Sequence, residues 1–160
     1  MKLSEAMREK MLLSFELFPP KTEKGMANLP GTIEHLMKYR PEYYFLYIRA
    51  GGGNVGANRE VCQMIRNAGT IPVTHFTVIK NTKEGIRQQL EQYLADGVDH
   101  MLALRGDIPL GETTTCGDFN YATDLVKFVR DEFGDKFEIA VAVHRKAISH
   151  AEAWMLILLF

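Results

Sequence analysis

The 160-residue sequence predicts an α/β fold in which a parallel sheet is covered by helices. Three observations carry this. Short apolar, β-branched or aromatic runs recur along the chain. Stretches with apolar residues at helical spacing separate them. The connections are short, as right-handed β-α-β crossovers require.

The elements follow in order. Residues 12–18 (LLSFELF) form a strand-like run closed by Pro19 and Pro20, which cannot continue a ladder. Pro30 suits the first position of a helix, after which Ile33, Leu36 and Met37 recur at helical spacing. Residues 43–48 (YYFLYI) are aromatic and β-branched, hence a second strand. Val61, Met64 and Ile65 mark the next helix, which Gly69 stops. Residues 71–78 (IPVTHFTV) read as a third strand. Thr82 caps a helix with the stripe Ile86, Leu90, Tyr93 and Leu94, and Gly97 ends it. Residues 101–104 make a fourth strand. Ala122, Leu125, Val126, Val129 and Phe133 line a helix stopped by Gly134, and residues 138–143 make a fifth strand. A doubly wound sheet and a (β/α)8 barrel both fit this order. A barrel takes about 250 residues, so five strands do not close one.

Composition narrows the function. With 46% hydrophobic and 24% charged residues and a net charge of -1, nothing marks a nucleic-acid or anionic-membrane surface. Cys62 and Cys116 form no CxxC pair, and no metal-ligand cluster stands out, so a reduced, cytoplasmic setting is expected. The first eleven residues lack an apolar core of signal-peptide length, and the terminal AWMLILLF is too short to span a bilayer.

Polar residues gather where strands end: Glu16, His75, Arg105, Asp107 and His144. In α/β folds that rim is the active face. Glu16 lies inside an apolar strand and shares a face with Ser14 and Phe18. Burial there would raise its pKa, as a general acid needs; a solvent-facing edge glutamate is the equal alternative. Arg105-Gly106-Asp107 reads either as a charged clamp, whose glycine lets a ligand approach the backbone, or as a turn with a surface ion pair. His75 could donate to a ligand, although a lone histidine between Thr74 and Phe76 is more often a satisfied core residue. Gly51, Gly53 and Gly56 match the dinucleotide fingerprint G-x-G-x-x-G. The acidic residue expected about 20 positions on is missing, which favours a flexible loop over a phosphate site.

Together the segments SFELFPPKTEKG, AGG, THFT, LALRGD, NYATDLV and FEIAVA resemble methylenetetrahydrofolate reductases, in family order and at near-family spacing across residues 12–144. The resemblance decides for a (β/α)8 barrel, truncated after about five β/α units. It implies reduction of 5,10-methylenetetrahydrofolate to 5-methyltetrahydrofolate, with FAD relaying hydride from NADH or NADPH. Glu16 falls on the family's general acid. Asp107 falls on a carboxylate that meets both flavin and folate. His75, Arg105, Gly106, Tyr121, Ala122, Ala142 and His144 fall on cofactor-contacting positions, and Pro19, Pro20 and Lys21 on the nicotinamide side. Homo-oligomers are expected of the full-length enzyme. The rival readings are a non-catalytic remnant and a nucleotide-binding module using the GGGNVG loop.

Two departures stand out. The family has Thr-Tyr-Gly where this chain has Tyr47-Ile48-Arg49, and Pro-Glu-Gly-His where it has Arg145-Lys146-Ala147-Ile148. Residues 1–144 are therefore read as the first part of the barrel and 145–160 as an aberrant tail. Either the tail is translated out of frame, or it is a diverged segment with its own helix. As a fragment, the chain is expected to expose the apolar edge of its fifth strand, and to lack solubility, stable FAD and activity.

Overall fold

The computed structural model describes residues 2–47, 55–108, 110–144 and 155–159. Its sheet runs β1 (Ser14–Leu17), β2 (Tyr43–Leu46), β3 (Ile71–Thr77), β4 (His100–Leu104), β5 (Glu138–His144) and β6 (Met155–Leu159), in chain order. The pairings from β1 to β5 are all parallel. A doubly wound sheet reverses its strand order part-way; this one never does, which is the arc of a barrel.

Alternation along each strand splits the core in two. Leu17, Tyr44, Leu46, Phe76, Met101, Ala103 and Ile139 face the helices α2 (Glu23–Met37), α3 (Val55–Asn67), α4 (Lys83–Ala95) and α5 (Ala122–Phe133). Tyr43, Phe45, Val73, Leu102 and Ala140 face the other way and pack with Leu3. Leu3 belongs to a short helix, α1 (Leu3–Glu9), which the sequence reading did not include.

The Thr82 cap is present: its hydroxyl accepts from the N–H of Gly85 at 3.1 Å. The start of α2 differs from expectation. Thr22 caps it, accepting from Gly25 at 3.1 Å, and Pro30 lies mid-helix rather than at its first position. A proline there forfeits one hydrogen bond to the preceding turn. The cap and the buried pair Leu29 and Ile33 outweigh that loss.

The open fifth-strand edge is also corrected. β6 pairs antiparallel with β5, Val141 opposite Leu158, so the tail supplies a strand there and not a helix, and the open edge from which poor solubility and unstable FAD were expected is covered. No helix among the described residues is long and apolar enough to cross a membrane.

Candidate active site

Each strand delivers its polar residues to one end of the arc. On the inner alternation, Glu16 stands in register with Phe45, and His75 with Leu102. Tyr47 continues β2, its N–H donating to the carbonyl of Leu17 at 2.9 Å. Its ring lies 4.9 Å from that of Phe18 and 5.8 Å from that of His75.

A cavity of about 650 Å³ opens beside Tyr47. Thr77, Ala103, Leu104, Arg105, Gly106 and Asp107 line it from β3, β4 and the loop that follows. Tyr121, Ala122, Thr123 and Ala142 line it from α5 and β5. Arg105, Gly106, Asp107, Tyr121, Ala122 and Ala142 are thus brought together as expected from sequence.

Gly106 has a left-handed backbone, φ 82°, and a Cβ there would come within 2.8 Å of Ile79 and 3.3 Å of Thr77. Close packing against Thr77 at the end of β3 and Ile79 just after it therefore calls for glycine at this position, where the sequence left ligand approach and an ordinary turn both open. The Arg105 guanidinium Nε donates to the carbonyl of Gly106 at 3.2 Å. Arg105 and Asp107 are both exposed, and no ion pair between them is seen among the described residues.

His75 is buried, yet neither ring nitrogen has a hydrogen-bond partner among the described residues. The satisfied-core reading therefore fails. Burial pushes its pKa down to about 4, so the ring is neutral near pH 7. Nε2 lies 3.9 Å from a carboxylate oxygen of Glu16. The Glu16 side chain is 45% exposed, so the burial that its apolar strand suggested is absent.

Pro20 and Lys21 line a separate groove, with Met26, Pro30, Ala57 and Met64 between α2 and α3. Pro19 lines neither space. The last residue of β5 is His144, whose side chain lies outside the described residues, as do Ile48, Arg49 and most of the GGGNVG loop. Gly56 sits in the first turn of α3. Sequence reading missed Thr77, Ala103, Leu104 and Thr123 as cavity residues, and gave Tyr47 only as a departure. Period-2 alternation from His75 and Leu102 would have found Thr77 and Leu104.

The cavity suits a flat heteroaromatic group. Alanines and Gly106 leave room, and Tyr47 and Tyr121 supply aromatic surface; His75, with its orphaned nitrogens, and Glu16 stand outside the lining, His75 against the ring of Tyr47.

The family model for methylenetetrahydrofolate reductase matches residues 2–158. The chain belongs to the methylenetetrahydrofolate reductase family. It is 36% identical over 138 residues to methylenetetrahydrofolate reductase (NADH) 1 of Arabidopsis thaliana, covering 84% of this chain and 23% of that protein. Probable methylenetetrahydrofolate reductase (NADH) of Oryza sativa subsp. japonica is 32% identical over 151 residues, 91% of this chain and 25% of the relative. For 5,10-methylenetetrahydrofolate reductase of Pectobacterium carotovorum the identity is 32% over 142 residues, with coverages of 88% and 45%. This reductase-family chain thus spans about a quarter of the plant relatives and under half of the bacterial one.

Proposed function

We propose that this chain forms the acid-bearing, cofactor-facing part of a reductase that converts 5,10-methylenetetrahydrofolate to 5-methyltetrahydrofolate. Arg105, Gly106, Asp107, Tyr121, Ala122 and Ala142 would hold the ring system of FAD, with His75 behind them. Bound there, FAD carries hydride from NADH or NADPH to the folate.

Glu16 donates a proton to the folate nitrogen that leaves when the five-membered ring opens. Its exposure gives substrate access to the carboxyl, and the neutral His75 beside it adds no competing positive charge. Asp107, exposed at the cavity rim, meets the polar edge of the bound ring and the incoming folate.

The observation that carries this reading is the convergence of six residues from three separate segments on one cavity, next to a buried histidine with no partner. The test is titration of the 160-residue chain with FAD, followed by flavin fluorescence. Saturable quenching that Asp107→Ala and Arg105→Ala weaken supports the reading. Absence of saturable binding supports the non-catalytic remnant.

A further inference from the structure

Two non-glycine residues hold left-handed backbone on facing segments, Lys80 at φ 57° in the turn after β3 and Cys116 at φ 53° in the connection after β4. Such backbone is unfavourable for L side chains and persists only where surrounding contacts enforce it. Here the contacts form a seam. The N–H of Lys80 donates to the carbonyl of Thr115 at 2.8 Å, and the N–H of Asp118 donates to the carbonyl of Asn81 at 3.0 Å. The Asn81 side-chain amide donates to the carbonyls of Thr77 at 2.8 Å and Ile79 at 3.2 Å, which ties the turn after β3 to itself. From the other side, the Asp118 carboxylate accepts from the N–H of Lys83 at 2.8 Å, in the first turn of α4.

Gly117 sits in the middle. A Cβ there would come 2.5 Å from the Asn81 carbonyl oxygen and 2.9 Å from its nitrogen, both backbone atoms that cannot swing aside. Gly117 itself is not left-handed, so space alone demands glycine there.

The seam's location gives it a role. The connection from β4 to α5 begins with Arg105, Gly106 and Asp107, and delivers Tyr121, Ala122 and Thr123 at its far end. All six line the cavity. Between those ends, the seam clamps the connection to the turn after β3. We propose that Asn81 and Gly117 are positioning residues that fix the Tyr121–Ala122–Thr123 wall of the cavity. This rests on the flavin reading only in the choice of ligand.

The test compares Gly117→Ala and Asn81→Asp with the unaltered 160-residue chain, and with Gly31→Ala as control. A Cβ at Gly31 meets nothing within 4 Å. Backbone hydrogen exchange and FAD titration are measured on each. In both seam variants the amides of residues 118–124 exchange faster, the amides of β2, β3 and β4 keep their rates, and the Kd for FAD rises roughly tenfold or more. The control changes neither. Unchanged Kd with faster loop exchange would overturn the proposal, as would faster exchange spread equally through the sheet. If the unaltered chain binds no FAD, the flavin reading fails, and unchanged exchange in Gly117→Ala then overturns the seam separately.

Discussion

His75 Nε2 stands 3.9 Å from the Glu16 carboxylate, the imidazole side chain 7% exposed and the carboxylate side chain 45% exposed. A buried imidazole with no hydrogen-bond partner among the described residues thus stands beside a solvent-open carboxyl group. Burial disfavours the charged imidazole and leaves its pKa at about 4.

This relationship fixes a pH dependence. Between pH about 4 and the ordinary histidine value of roughly 6.5, the unfolded chain holds a proton on His75 and the folded chain does not. Stability therefore falls as the medium is acidified through that window, by at most on the order of 3 kcal/mol. His75→Phe should flatten this part of the stability–pH curve from denaturant titrations. An unchanged slope would show that the ring is not desolvated.

Glu138 carries a second pH-dependent contact. Its carboxylate accepts from the N–H of Leu3 at 2.8 Å and of Ser4 at 2.6 Å, seating α1 under the inner core. His100 Nε2 lies 3.0 Å away. Burial pushes the Glu138 pKa upward, but the bonds from Ser4 and Leu3, with nearby His100, outweigh it and hold the carboxyl below its ordinary value. The depressed folded pKa means that this contribution is present above the unfolded carboxylate pKa. It is lost as pH falls through the folded one. Glu138→Gln keeps one acceptor and sets an amide N–H₂ against the other donor. It should cost roughly 1–3 kcal/mol and speed hydrogen exchange across residues 3–9. Protection equal to the parent would contradict this account.

The tail strand makes a prediction of its own. β6 covers the β5 edge, so Leu158→Pro, opposite Val141, should break that ladder and expose the edge to other chains. Size-exclusion chromatography with light scattering should then show association at concentrations where the parent does not associate. A monodisperse variant eluting like the parent would mean that β6 does not protect the edge.

The origin of the tail is tested in the gene. Codons for Arg145-Lys146-Ala147-Ile148, written CGN-AAR-GCN-ATH and preceded by one C, read CCG-NAA-RGC-NAT. Those codons can spell Pro-Glu-Gly-His, the residues that the family resemblance leads one to expect there. We propose a one-base loss after the His144 codon. The nucleotide sequence should then continue, in the shifted frame, through roughly another 100 residues of alternating strand and helix, as a barrel requires. An immediate stop in that frame contradicts the proposal.

Much of this structure was legible in the chain. The strands through Phe45 and Val73 announced themselves by β-branched and aromatic runs, that through Leu102 by a short apolar run before Arg105-Gly106-Asp107, and Thr82 and Gly97 marked the limits of α4. Motif order identified the cavity residues from Arg105 to Ala142. Three things were not legible, each for a physical reason. Pro30 suggested a helix start because local propensity cannot see the Thr22 cap eight residues earlier. α1 is only seven residues long and owes its place to Glu138, 134 or more positions away, a contact that no local pattern encodes. Glu16 stayed open between a buried acid and a solvent-facing glutamate, because apolar neighbours in sequence do not say how far the inner side of the sheet is covered; the structure leaves it 45% exposed.

The proposal that Glu16 gives its proton to the folate is tested most directly by separating the two half-reactions in Glu16→Gln. Flavin reduction by NAD(P)H and flavin reoxidation by 5,10-methylenetetrahydrofolate are followed independently by stopped-flow absorbance on the flavin-loaded protein, its chain restored to full barrel length. The account predicts that reoxidation by folate slows by roughly 10²-fold or more, while reduction by NAD(P)H stays close to the parent rate. Equal loss in both half-reactions, or an unchanged rate with folate, would contradict it.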